Sequence, residues 1–330
     1  MIAEPARSAA LSVALDAARD AARAVAALGD PAGLALGAVV EKSGAGPATV
    51  ADLASQACIA MALRRSFGVG VGIVAEESLQ EAESLGGAVL VDHVVRAVRA
   101  VHAEASEADV RAALTVEPAD GRAEFWTVDP LDGTKGYLRG GQFAVAIALV
   151  RDGRPVLGVL AAPRLSLAAV EPGQGIVAVA ADGAGAWQSP LASWDPRPLR
   201  SAPWSVGAPV RVAGSVERSH SASDSLEACI ARVGPVHGVR MDSQAKYAVV
   251  ARGDADCYVR RSPTPEYREC IWDHAAGALV AAEAGARVTD VHGRAFDYSL
   301  GRRLEGRSGV VCAVPALHGR VLEALASPMG

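Results

Sequence analysis

WTVDPLDGTKGYLRGGQFAVAIALV, residues 126–150, decides how this chain is read. Phe125 to Val128 is an apolar run of strand character that delivers the chain into Asp129, Pro130, Leu131, Asp132 and Gly133. Pro130 withholds a backbone donor and Gly133 admits a positive φ. A turn here therefore lets the Asp129 and Asp132 carboxylates and the Leu131 carbonyl converge on one point. Hard oxygen ligands gathered in this way suit Mg²⁺. Two anions so close would otherwise repel and raise each other's pKa. The bland alternative is an Asp-Pro/Asp-Gly surface turn.

Outward from this stretch, the spacing predicts a mixed α/β protein. Phe143 to Val150 reads as a strand, RDGRP as a turn and VLGVLAAP as the next strand. LSLAAV, the turn EPGQG and IVAVAADGAGAW continue the pattern, with Asp182-Gly183 as a hairpin turn. Together they predict an antiparallel sheet. Residues 189–209 keep no period and read as the crossing between two lobes, 1–205 and 206–330. Upstream, an Ala-rich helix ends near Gly29-Asp30-Pro31, residues 32–48 read as an exposed loop, and a second helix covers Ala51 to Phe67. A strand enters Glu76-Glu77, where adjacent acids are ordinarily solvated, and residues 80–115 read as largely helical. His93 and His102 lie there without a partner at metal-ligand spacing. Downstream come a strand at VRVAGS, a helix-like segment around His220, a helix from Ser243 to Ala251 stopped by Gly253, a helix of small residues after Trp272-Asp273, and a last strand GVVCAV before a C-terminal helix.

Composition bounds the function. The 330 residues suffice for two substantial cores, and 51% apolar residues with 4% aromatics predict cores built from Ala, Val and Leu. A net charge of −5 leaves no general footprint for nucleic acid or an anionic membrane, so a phosphorylated partner, the small-molecule kind that the resemblance below implies, would need local positive charge. Five scattered cysteines without CxxC spacing give neither a disulfide framework nor a zinc site. The N-terminal segment is broken by charges and lacks the apolar core of a signal peptide or span. These features predict a cytoplasmic protein.

Several residues carry two readings. Asp52 is either an acid favoured by the helix N-terminus or part of a site. Ser243 and Lys246, three apart at a helix N-terminus, make either a phosphate cradle or a capped helix with an exposed lysine. Asp273 is either an N-cap or a carboxylate reaching a metal. GVGVG at residues 68–72 lacks the GxGxxG pattern, which argues against a dinucleotide fingerprint.

The string DPLDGTKGYLRGGQFAVAIALV resembles the signature of the inositol monophosphatase superfamily of metal-dependent, lithium-sensitive phosphatases, and KGYLRGGQFAV is similar to its 3'(2'),5'-bisphosphate nucleotidase branch. TVADLASQ, AEES, DSQAKY and WDHAAGALVAAEAGA match further elements in the right order, from about Lys42 to Leu304. Ala75 and Ala286 stand where the family more often has glycine, and Ala286 puts the helix-exit turn in question.

The resemblance implies a sugar-phosphatase-type αβαβα sandwich, an α/β (α+β) fold with its site between two lobes. It implies that Glu76, Asp129, the Leu131 carbonyl, Asp132 and Asp273 hold two or three Mg²⁺ ions. Glu76 and Thr134 would orient the attacking water, with Asp52 assisting. Gly133 and Thr134 amides would hold phosphate oxygens, and His220, Ser243, Lys246 and Arg260 would bind substrate. The activity so implied is removal of the 3'-phosphate of 3'-phosphoadenosine 5'-phosphate, with the 5'-phosphosulfate analogue as a further substrate and sulfur assimilation as the setting. An inositol or histidinol phosphate phosphatase stays open, as does a silent nucleotide-binding regulator.

Overall fold

In the computed structural model, residues 8–29, 39–42, 46–115, 122–216, 226–264 and 266–327 are described. Helix α1 (Ala9–Ala27) is followed by a two-stranded ribbon, β1 (Val39–Lys42) and β2 (Gly46–Thr49), within the stretch expected to be only a loop. Thr49 then starts α2 (Val50–Phe67) through a capping box. Its hydroxyl accepts from the Ala51 and Asp52 amides, and Asp52 accepts the Thr49 N–H at 2.8 Å. Helices α3 (Leu79–Arg99) and α4 (Glu107–Leu114) flank it, and His102 lies 3.3 Å from Asp20 of α1, a packing contact.

A seven-stranded sheet comprises β3 (Ile73–Ala75), β4 (Glu124–Asp132), β5 (Ala144–Arg151), β6 (Arg154–Ala162), β7 (Ile176–Ala181), β8 (Gly185–Pro190) and β9 (Arg197–Pro198), in sequential order. Only the β3–β4 pair is parallel. Two expectations change here. LSLAAV adds no strand, making only a Leu165–Pro172 bridge, and the expected crossing contributes β9 to the sheet edge.

The alternation along β5 explains the layering. Val145, Ile147 and Leu149 join the core under α1 to α4, while Ala144, Ala146, Ala148 and Val150 face the opposite core. On that second side lie α6 (Ala245–Arg252) and α7 (Ala275–Glu283), the latter built from small residues. The small face lets backbone approach backbone: a Cβ on Gly158 of β6 would sit 3.0 Å from the Ala276 carbonyl.

Beyond this layer is a five-stranded sheet, from β10 (Val210–Gly214), β11 (Val236–Arg240), β12 (Cys257–Arg260), β13 (Arg287–Thr289) and β14 (Val310–Ala313), in the order β11-β10-β12-β14-β13. Its outer face packs on α8 (Pro315–Ala326). The order helix, sheet, helix, sheet, helix is the αβαβα sandwich. Among the described residues no helix is long and apolar enough to cross a membrane, and the five cysteines are free and buried.

The exit of α7 is intact despite Ala286. Gly285 takes φ 99°, its N–H reaches the Ala282 carbonyl at 2.9 Å and the Ala286 N–H reaches the Ala281 carbonyl at 3.0 Å, a Schellman turn. The left-handed position is Gly285, so residue 286 tolerates a side chain.

Candidate active site

β4 continues past its expected end. Its pairing with β5 shifts between Asp129 and Asp132, a bulge that takes in Pro130 and Leu131. The Ser55 hydroxyl donates to the Pro130 carbonyl at 2.5 Å, and Leu131 is buried with Tyr137 and Phe143, so the bulge is pinned on both sides. The turn proper starts at Gly133, with φ 87° and ψ 41°, and leads into the short helix α5 (Thr134–Leu138). A Cβ on Gly133 would lie 3.1 Å from that of Ser243, so glycine is needed for both conformation and space.

Asp52 makes two kinds of contact. One oxygen closes the capping box, while the other accepts the Thr134 hydroxyl at 3.1 Å. Thr134 Oγ1 also lies 3.3 Å from the Leu131 carbonyl. Glu76 follows β3 and its N–H bonds the Val128 carbonyl. Its neighbour Glu77 is buried, contrary to the solvated expectation, because Gln56 grips its backbone N–H and carbonyl at 2.9 and 2.7 Å. That grip fixes the acidic turn against α2.

Asp129 is the focus of the electrostatics. It is buried, and its Oδ1 has no hydrogen-bond partner among the described residues. Burial raises its pKa well above the ordinary value, and the charges of Asp132, Glu76, Asp273 and Asp52 add to the rise. Burial likewise raises Asp132, although Lys246, the Gln244 amide and Arg260 pull it back. Asp273 is pushed up to about 6, chiefly by burial, against the pull of Arg260 and His274. The structure thus brings Glu76, Asp132, Asp273 and Asp52 within electrostatic reach of Asp129. A buried carboxylate oxygen without a donor, among four more carboxylates, fits a hard divalent cation.

The second half of the chain closes over this cluster. Ser243 is not in α6, as expected, but precedes it with φ 69°, and its hydroxyl accepts the Ala245 N–H at 3.2 Å. Ser243 and Lys246 therefore do not share a helical face. Gln244, which sequence reasoning passed over, joins three elements. Its amide N–H donates to Asp132, its side-chain NH₂ to the Trp272 carbonyl at 2.9 Å, and its Oε1 accepts the Gly277 N–H at 3.4 Å. Asp273 is not an N-cap, since His274 occupies that position. Lys246 is buried, with Nζ 5.3 Å from the centroid of the Tyr258 ring, and burial lowers it to about 8 against the attraction of Asp132.

Arg260 ends β12 in an ion pair with the buried carboxylate of Glu269, which sequence reasoning also missed. Glu269, Asp273 and His274 offer ligand atoms within 4.8 Å of one another, a trio that overlaps the predicted carboxylates only at Asp273. A buried acid and histidine flanking IWD were the available signal. His220 lies outside the described residues.

A layered sandwich with carboxylates gathered where β3, β4 and the entrance of α7 meet defines the sugar-phosphatase type of fold. The chain belongs to the inositol monophosphatase family, whose model matches residues 6–328, and is a phosphatase of that family. It is 35% identical to the 3'(2'),5'-bisphosphate nucleotidase of Emericella nidulans over 318 residues, covering 87% of this chain and 89% of that protein. With the enzyme of the same name from Oryza sativa it shares 34% over 309 residues, covering 87% and 86%. Among solved structures, the Thermotoga maritima IMPase superposes with a TM-score of 0.66 at 18% identity, covering 96% of each chain. CysQ from Bacteroides thetaiotaomicron, a bacterial member of the inositol monophosphatase family, gives 0.62 at 22% identity, covering 94% of this chain and 99% of that one.

Proposed function

We propose that the protein is a Mg²⁺-dependent 3'(2'),5'-bisphosphate nucleotidase that converts 3'-phosphoadenosine 5'-phosphate and water into AMP and phosphate. One observation carries this reading: a carboxylate cluster fit for a cation stands beside a separate cationic pair, Lys246 and Arg260, as a substrate with two phosphates requires. The names of the relatives at about a third identity support it.

Glu76, Asp129, the Leu131 carbonyl, Asp132 and Asp273 would hold the Mg²⁺ ions. Bound there, Mg²⁺ supplies Lewis-acid charge that lets an acidic pocket accept a phosphate ester and offsets charge on the attacking and leaving oxygens. Asp52 keeps the Thr134 proton turned toward itself, which leaves the Thr134 oxygen free to accept from water and aim it at phosphorus. The proton released in the attack passes through Thr134 to Asp52. The Gly133 and Thr134 amides face the non-bridging oxygens, while Lys246 and Arg260, with Ser243, anchor the 5'-phosphate. The nucleophile is water, so no phosphoenzyme forms. The 5'-phosphosulfate analogue should react by the same route, and Li⁺ should inhibit.

The test is phosphate release with Mg²⁺ from 3'-phosphoadenosine 5'-phosphate and from inositol 1-phosphate, side by side, with the nucleotide product identified. Strong preference for the nucleotide with AMP as product is expected. Preference for the inositol ester would overturn the assignment of Lys246 and Arg260, and equal release with and without metal would overturn the chemistry.

A further inference from the structure

Behind the cationic pair runs a buried polar chain that the reaction itself does not use. The Tyr247 hydroxyl lies 2.7 Å from His274 Nδ1, and His274 Nε2 lies 3.5 Å from Glu269 Oε2, the oxygen that pairs with Arg260. The Ser262 hydroxyl donates to the other Glu269 oxygen at 3.3 Å. Glu269 and His274 are both 0% exposed, whereas the Arg260 side chain is 37% exposed. Glu269 therefore meets the guanidinium from its buried side and leaves its remaining donors open. Burial of Glu269 works against its charge, yet His274 and Arg260 hold its carboxyl at about 2, so it stays an anion.

The chain also spans the elements that must keep register. Tyr247 follows Lys246 on α6, His274 follows Asp273 at the entrance of α7, and Arg260 ends β12. α6 and α7 pack closely enough that a Cβ on Gly277 would lie 2.3 Å from Tyr247 Cδ2. The loop bearing Glu269 is braced in turn by residues 302–304, through the Ile271 N–H to the Arg302 carbonyl at 3.1 Å and the Leu304 N–H to the Glu269 carbonyl at 2.9 Å. Glu269, Asp273 and His274 form a trio of metal-ligand spacing, but the position beside Glu269 Oε2 already belongs to a guanidinium. A second cation there would meet Arg260 directly.

We infer that Glu269, backed by His274 and Tyr247, is a positioning residue that fixes Arg260 for the second phosphate of the substrate and so sets the preference for doubly over singly phosphorylated nucleotides. The inference rests on the function proposed above. A flexible arginine would lose side-chain entropy on binding the phosphate, and a fixed one does not. The buried carboxylate also prevents Arg260 from swinging toward Asp273 and the acidic cluster.

The test is a double-mutant cycle of Glu269→Gln and Arg260→Ala, read as kcat and KM for 3'-phosphoadenosine 5'-phosphate and for 3'-AMP, which lacks the second phosphate. Thermal melts verify that each variant folds, and Tyr247→Phe serves as a milder second variant. In E269Q the KM for the bisphosphate should rise about tenfold with kcat nearly constant, 3'-AMP kinetics should hold, and the effect should vanish in the Arg260→Ala background. Y247F should shift the same KM in the same direction by a smaller factor. Equal losses on both substrates, or an E269Q effect that persists without Arg260, would overturn the inference. A wild-type enzyme with no preference for the bisphosphate over 3'-AMP would overturn the underlying function instead, and is recognised before any variant is made.

Discussion

Two clusters of buried charge, one around Asp129 and one around Arg260, are satisfied in opposite ways. Around Asp129 four further carboxylates act on one buried carboxylate, whose Oδ1 has no donor among the described residues. Around Arg260 each charge has an opposite partner from the chain itself: Glu269 for Arg260, and Asp132 within reach of Lys246. Buried like charges are tolerable only if something from outside completes them. Buried opposite charges are complete already and serve to hold a side chain still. On the function proposed above, the first cluster receives a cation and the second presents donors to an anion, and Asp132 is tied to the second half of the chain through the Gln244 amide.

The largest effect should come from breaking the first cluster. Asp129→Asn should lower Mg²⁺-dependent turnover by about a thousandfold, and loss of metal-dependent phosphate release would also dismiss a silent regulator. The same change should raise the melting temperature of the metal-free protein. Asp129 is a carboxyl raised in the folded state, so the fold bears the full cost of the charge above the folded pKa, and that cost is relieved as pH falls from the folded value toward the unfolded one. Calorimetry with and without Mg²⁺ measures both: wild type should gain stability from the metal and Asp129→Asn little. A metal-free variant that melts below wild type would contradict the like-charge account.

Disturbing the Gly133–Ser243 contact should have the next largest effect. Gly133→Ala forces a side chain into φ 87° and sets its Cβ against Ser243. The left-handed conformation and the overlap together should cost about 3 kcal/mol of stability, a change of about a hundredfold in the folding equilibrium. Urea unfolding of the variant measures it. An unchanged midpoint would mean that the two halves tolerate being moved apart at this point.

How much of this the sequence carried differs between the clusters for a physical reason. The acidic cluster rests on local signals: a strand, Asp129-Pro130-Leu131-Asp132, then a glycine, with Asp52 and Glu76 at their own element ends. The turn from Asp129 to Gly133 is readable locally, whereas Asp52 and Glu76 enter the reading only through the family resemblance. The run Phe143 to Val150 was legible as a strand, but that both of its faces are buried is seen only in the fold. Contacts made through space were not legible. Gln244 reads as an ordinary helix residue until its three partners are seen, and Glu269 reads as a surface acid until Arg260 arrives from β12. Ser243 read as helical because hydroxyl residues suit N-termini, but it lies against Gly133 in a left-handed conformation just outside α6. LSLAAV alternated like a strand, yet it found only the Leu165–Pro172 bridge.

The finest comparison is a matter of one proton on Lys246. Burial lowers Lys246 from 10.5 to about 8 even with Asp132 nearby, so in the free enzyme its charge fades as pH rises through about 8. For stability the sign is the reverse of a paired lysine. Below about 8 the fold carries a buried charge that the unfolded chain would solvate, and from there to 10.5 that cost is relieved. For binding, on the proposed function the lost charge is one of two that face the second phosphate. The profile of kcat/KM for 3'-phosphoadenosine 5'-phosphate should therefore bend downward near pH 8 and fall by about tenfold per unit beyond it, since this ratio reports the free enzyme. The same bend should be missing with 3'-AMP. Lys246→Arg, which keeps its charge throughout, should remove the bend even if it lowers the plateau by misplacing the guanidinium. A bend of equal size on both substrates would assign it to the carboxylate cluster or the water, and Lys246 would then belong with the first region rather than the second.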